Sequence, residues 1–66
     1  MTAPSAELSS LATALEELTT RITAIADLYA GDRRDELAAD LYSVERALAG
    51  ATRRLTKVID ADRRAP

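Results

Sequence analysis

The chain has 66 residues, a net charge of −2, and neither cysteine nor histidine. These absences exclude disulfides, zinc sites built from cysteine or histidine, and catalysis by a histidine base or a cysteine nucleophile. Hydrophobic residues make up 47% of the chain, which favours a folded protein over a disordered one, and most of them are the helix formers alanine and leucine.

The first predicted element is a helix over about residues 5–30. Apolar residues recur there at alternating spacings of three and four, as in the a and d positions of a heptad repeat. They are Leu8, Leu11, Leu15, Leu18, Ile22, Ile25 and Tyr29. This pattern predicts a helix that packs lengthwise against another helix.

A turn is predicted at about residues 31–32, where one apolar pattern ends and a second begins out of phase with it. Gly31 is expected to adopt the left-handed conformation that ends a helix, and Asp32 is expected to cap the helix that follows. These features predict a helical hairpin. The alternative is one long, kinked helix in a parallel coiled coil, because a single glycine costs a helix only about 1 kcal/mol.

The second predicted element is a helix over about residues 33–62, followed by a frayed tail at 63–66. Its apolar residues have the same heptad spacing and are Leu37, Leu41, Val44, Leu48, Ala51, Leu55 and Val58. Residues 1–66 are therefore predicted to form a single all-α domain, an antiparallel two-helix hairpin.

A hairpin of this size has a small core, and chains this short gain no more than about 3–5 kcal/mol from one. Further apolar residues, among them Ala12, Ala26, Ala38 and Ile59, flank the two patterns. Such a wide apolar stripe suits a bundle of three or four helices. The residues of the two patterns are therefore predicted to form the core of a homodimeric four-helix bundle. The alternative is that they receive a helix of another protein.

One face of the second predicted helix carries a basic stripe on the side opposite its apolar pattern. The stripe consists of Ser43, Arg46, Gly50, Arg53 and Lys57. It is a candidate surface for an anion or a protein partner, because arginines bind phosphate or carboxylate and glycine permits close approach. The alternative interpretation is an ordinary solvated helix face, on which exposed charges contribute little.

The stretch from Leu41 to Leu48 resembles one helix of the short hairpin anti-sigma factors that bind cyclic di-GMP. That family presents an acid, a serine, an arginine, a glutamine and a second acid at set helical spacing. Ser43 and Arg46 match this pattern, whereas Ala39, Gly50 and Arg54 stand at its other three positions. The resemblance implies a nucleotide-binding hairpin that acts by sequestering a protein partner.

These observations predict a non-enzymatic protein–protein interaction or regulatory module. The alternatives are an anion- or nucleotide-binding regulator that uses the basic stripe, and a purely structural coiled-coil assembly unit. No cofactor or metal site is expected, since the heptad core positions are apolar. The negative net charge disfavours nucleic acid, and the lack of a long apolar run or a basic, apolar leader predicts a cytoplasmic protein that does not enter a membrane.

Overall fold

The computed structural model describes residues 4–64, which form two helices packed against each other as a hairpin. The first helix, α1, spans Pro4–Gly31, and the second, α2, spans Asp35–Arg64. The predicted all-α hairpin is confirmed, and the long kinked helix is excluded. α1 ends one residue beyond its predicted end and α2 starts two residues after its predicted start. Arg63 and Arg64 of the predicted tail belong to α2, and residues 65–66 lie outside the described residues.

The turn at residues 32–34 is closed by two backbone hydrogen bonds that run back into the last turn of α1. The amide of Arg34 donates to the carbonyl of Tyr29 at 2.8 Å, and the amide of Arg33 donates to the carbonyl of Ala30 at 3.2 Å. This pair of bonds is the Schellman motif, which needs a left-handed residue directly after the C-cap of the helix, here Asp32. Arg33 takes that conformation, with φ at 60°.

The predicted left-handed conformation at Gly31 is therefore wrong. Gly31 is the last residue of α1, and no glycine has a positive φ. The predicted capping position is displaced as well, from Asp32 to Arg34, the residue directly before α2. The carbonyl of Arg34 accepts the first helical bond, from the amide of Ala38 at 3.0 Å. The Arg34 guanidinium also lies over the Tyr29 ring, 5.8 Å from its centroid, and this cation–π contact fastens the turn to α1.

The two helices meet along an inner seam of buried and half-buried residues. From α1 these are Leu8, Ala12, Leu15, Thr19, Ile22, Ala26 and Tyr29, and from α2 they are Ala38, Leu41, Glu45, Leu48, Thr52, Leu55 and Ile59. The hydroxyls of Thr19 and Thr52 donate to the carbonyls of Leu15 and Leu48, at 2.7 and 2.9 Å. These bonds satisfy polar groups within the seam, so threonine can stand there at little cost.

The hairpin is a single layer of helices with very little interior. Its dimensions are 52 × 20 × 11 Å, and its radius of gyration is 15.3 Å, against about 11 Å for a compact domain of this length. Among the described residues only Ala26, Ala38 and Ile59 are buried, and no large side chain is fully buried. Every other apolar side chain of residues 4–64 therefore keeps part of its surface in contact with solvent.

Candidate interaction surfaces

Large apolar side chains form a second pair of rows outside the inner seam, which we call the apolar face. It consists of Leu11, Leu18 and Ile25 from α1 and of Leu37, Val44, Ala51 and Val58 from α2. Apart from Ala51, which is also exposed, these side chains are 43% to 53% exposed. A row of exposed leucine, isoleucine and valine along each of two neighbouring helices is unusual for a soluble monomer and is typical of an interaction site.

Both rows of the apolar face lie on the same side of the hairpin. In each helix, every residue of the row directly precedes a seam residue, as Leu18 precedes Thr19 and Val44 precedes Glu45. Each residue of the row therefore lies about 100° around the helix axis from the seam residue that follows it, and the direction of this rotation along the chain is the same in both helices. Because the helices are antiparallel, the same rotation from the seam carries both rows to one side. The two helices thus present one continuous apolar surface.

The structure divides the residues predicted as the dimer or partner core into two groups. One group lies in the inner seam and comprises Leu8, Leu15, Ile22, Tyr29, Leu41, Leu48 and Leu55, all half-buried. The other group is the apolar face. The flanking residues Ala12, Ala26, Ala38 and Ile59 complete the inner seam instead. Half of the predicted core residues are therefore already used within one hairpin, and the other half face outward.

The opposite side of the hairpin is polar and carries a hydrogen bond between the two helices. The hydroxyl of Tyr42 donates to Oδ1 of Asp27 at 2.5 Å. Both residues directly follow a seam residue, so this contact lies on the side away from the apolar face. The hydrogen bond to the Asp27 carboxylate raises the pKa of Tyr42 above its ordinary value of 10.0, because ionisation would remove the donor and place two negative charges together.

The five residues of the basic stripe follow one line along the outside of α2. Arg46 donates to the hydroxyl of Ser43 at 3.3 Å, and a Cβ added at Gly50 would lie 3.7 Å from a guanidinium nitrogen of Arg53. Lys57 continues the line as an exposed residue. Arg53 also borders a shallow groove of about 370 Å³ on the polar side, together with Glu16, Thr20 and Ala49. The structure thus keeps the stripe together and separates it from the apolar face.

Residues 4–64 contain no group of three or more acidic side chains arranged to hold a metal ion. Within the same range, neither helix has a segment long and apolar enough to cross a membrane. The grooves along the helices are open and shallow rather than enclosed.

Two contacts of the structure are not visible in the sequence pattern. The Tyr42–Asp27 hydrogen bond joins residues 15 positions apart, and only the three-dimensional register of the hairpin brings them together. The Arg34–Tyr29 contact depends on the left-handed conformation of Arg33, which a sequence with a nearby glycine does not suggest. The sequence does contain one signal for the Tyr42–Asp27 hydrogen bond, because the acid and the tyrosine each directly follow a seam residue.

Comparison of the chain with models of protein families, with curated proteins and with solved structures gave no match.

Proposed function

We propose that this protein is a non-enzymatic protein–protein interaction module that works as a homodimeric four-helix bundle. The apolar faces of two hairpins would pack against each other and form a second layer. The observation that carries the proposal is the apolar face itself, which runs along both helices on one side of the molecule.

The exposed surface of the hairpin supports a partner of substantial size. Its accessible surface is 5223 Å², whereas a compact monomer of 7.1 kDa exposes about 4,100 Å². The excess is about 1,100 Å², and a standard protein interface buries about 800 Å² on each partner. Removal of the apolar face from water in a dimer would therefore account for the extra surface.

The geometry of the apolar face favours a second copy over an isolated helix. The face is two helices wide and about 32 Å long from Leu37 to Val58, since rows from both helices contribute to it. A single helix would cover only the groove between the two rows. A second hairpin presents a surface of the same length, width and chemistry, as in a symmetric interface in which one patch binds itself.

Light scattering over a wide range of concentrations tests this proposal. We expect a particle of twice 7.1 kDa. Val44→Glu, which places a charge in the middle of the apolar face, is expected to weaken association at least tenfold because a carboxylate cannot be buried there without a partner. Thr56→Glu is the matched control, since Thr56 is an exposed residue of the same helix outside the apolar face.

Two results would contradict the dimer. One is a fully helical particle of 7.1 kDa at every concentration, which would leave the apolar face to a helix of another protein. The other is a dimer that Val44→Glu and Thr56→Glu leave equally intact, because association would then use a different surface.

The basic stripe supports a second candidate function, the binding of a phosphate-containing ligand. The observation that favours it is its position, because the stripe lies outside the apolar face and stays accessible when that face is covered. Titration calorimetry with cyclic di-GMP and with inorganic phosphate tests this candidate. Binding that is lost in an Arg46→Glu, Arg53→Glu variant of unchanged helicity would support it, and the absence of heat from either ligand would refute it.

A further inference from the structure

We infer that the two hairpins of the dimer pack with their turns at opposite ends, so that Asp40 of each copy lies against Arg54 of the other. This inference rests on the proposed homodimer and specifies its symmetry. The observation that carries it is the placement of charge along the margin of the apolar face.

Two symmetric arrangements bring the apolar faces together. In the first, which we call the crossed arrangement, α1 lies over α1 and α2 over α2 of the second copy, and the turns are at opposite ends. In the second, the aligned arrangement, α1 lies over α2 of the second copy, and both turns are at the same end. In both arrangements the twofold axis lies in the interface. It runs across the helices in the crossed arrangement and along them in the aligned arrangement.

The margin of the apolar face along α2 carries one acid and one base. Asp40 and Arg54 stand three residues after Leu37 and Ala51, which are members of the face. Both side chains are exposed. Since they are 14 residues apart on one helix, about 21 Å separates them along its axis, and they do not pair within the hairpin.

The crossed arrangement places these charges together. Two antiparallel copies of α2 fit their apolar residues most evenly when Leu37 lies opposite Val58 of the second copy and Val44 lies opposite Ala51 of the second copy. In this register Asp40 lies within one residue of the level of Arg54 of the second copy, and symmetry makes the contact twice. The same symmetry places Leu18 opposite Ile25 of the second copy, so two of the three residues in the α1 row are matched as well. It also brings Arg21, three residues after Leu18, near Arg21 of the second copy, a single repulsion set against two Asp40–Arg54 attractions.

The aligned arrangement gives no such pairing. Asp27 and Tyr42 lie at the same level of the hairpin, since their side chains are bonded. Asp40 is therefore level with about residue 29 of α1, and Arg54 with about residue 15. Across an aligned dimer the two charges would face Leu28 and Ala14 of the second copy.

The two ends of the hairpin also differ in charge, and this difference favours the crossed arrangement too. Residues 27–40 around the turn contain five acids and two arginines, a net charge of −3, whereas residues 53–64 of α2 contain five basic residues and two acids, a net charge of +3. The aligned arrangement would bring two acidic turns together. The crossed arrangement places each acidic turn near the basic open end of the other copy, which is the complementary choice.

Spin labels attached at the turn distinguish the two arrangements directly. Asp32→Cys introduces a single attachment point into a chain without cysteine, at an exposed residue outside both helices. In the crossed dimer the distance between the two labels, measured by pulsed electron resonance, is expected to be about 45 Å, because each turn lies about 15 helical residues from the twofold axis. In the aligned dimer the labels would lie side by side, and a short distance would overturn the inference.

Charge exchange tests the Asp40–Arg54 contact itself. Asp40→Arg and Arg54→Asp are each expected to weaken the dimer roughly tenfold, and the double exchange is expected to restore it. Within α2 each single change places opposite charges three or four residues apart, beside Glu36 or Lys57, so helix stability alone predicts no loss. Double-exchange protein that associates no better than the single variants would overturn the contact.

Failure of this inference and failure of the proposed dimer give different results. A particle of 7.1 kDa refutes the dimer and with it the inference. A dimer of normal mass with a short label distance refutes only the crossed arrangement.

Discussion

At the scale of single residues, the turn depends on a left-handed residue that is not glycine. Arg33 has a φ of 60°, a conformation that costs an L-amino acid about 1 kcal/mol relative to glycine, while Gly31 stands in helical conformation. Arg33→Gly is therefore expected to stabilise the protein by about 0.5–1 kcal/mol. Gly31→Ala is expected to stabilise it by a similar amount, because nothing lies within 4 Å of the added Cβ.

Urea unfolding at a fixed protein concentration measures both changes. The two variants separate the observed turn from the turn predicted from sequence, in which Gly31 is left-handed. A left-handed Gly31 would make Gly31→Ala destabilising and Arg33→Gly neutral or unfavourable.

The hydrogen bond from Tyr42 to Asp27 predicts a dependence of stability on alkaline pH. Because the folded-state pKa of Tyr42 is raised, the bond contributes stability that is fully present below pH 10.0 and is lost as the pH rises through the folded pKa. Tyrosinate absorbance should show Tyr42 ionising at higher pH than an ordinary tyrosine. Asp27→Asn should lower that pKa, with Tyr42→Phe identifying which titration step belongs to Tyr42. An unchanged pKa in Asp27→Asn would contradict the assignment.

At the scale of the helices, the heptad spacing predicted both elements and the hairpin, but it did not predict which side of each helix faces the other. Three heptad positions of each helix are mostly apolar. Two different pairs of these positions both give the alternating spacing of three and four, so spacing does not show which pair faces the other helix. The structure places Ala12, Thr19 and Ala26 in the seam rather than Leu11, Leu18 and Ile25. Small side chains let the two helices approach closely, and the spacing of apolar residues contains no information about the size of their side chains.

The close approach of the helices is testable at Ala26, which has no exposed surface. Ala26→Leu is expected to destabilise the hairpin by about 1–3 kcal/mol, because a well-packed contact has no room for three further carbon atoms. Ala24→Leu is the matched control at an exposed position of the same helix and should change stability by less than about 0.5 kcal/mol. Thermal and urea unfolding measure both. Equal effects would mean that the seam is loosely packed at Ala26.

At the scale of the whole molecule, the candidate sites were predicted as lists of residues rather than as surfaces. The sequence placed Leu15 and Leu18 in one core, whereas in the hairpin Leu15 is half-buried in the seam and Leu18 is 46% exposed. That separation arises only when two helices pack. The basic stripe was predictable as a unit, because all of its residues lie on one helix and periodicity alone aligns them.

A dimer built on the apolar face predicts that unfolding depends on concentration. When two chains fold only together, a higher total concentration favours the folded state, and the midpoint of thermal unfolding rises. Circular dichroism over a hundredfold range of concentration should therefore show a rise of several degrees. Val44→Glu should remove this dependence along with the dimer. A midpoint that stays constant in the unchanged chain would show that one hairpin is stable by itself.

The 11 Å thickness of the hairpin bears on how long each chain survives in the presence of a protease. In a molecule one helix thick, every peptide bond is close to the surface, so protection from cleavage comes from helical order rather than from depth. If that helical order depends on a second copy, an unpaired chain is unfolded more of the time than a dimer. Because the rate of proteolysis follows the population of the opened state, the unpaired chain is the form that is degraded. Proteolytic turnover would then remove unpaired chains first, and the steady amount of this protein would rise more steeply than its rate of synthesis.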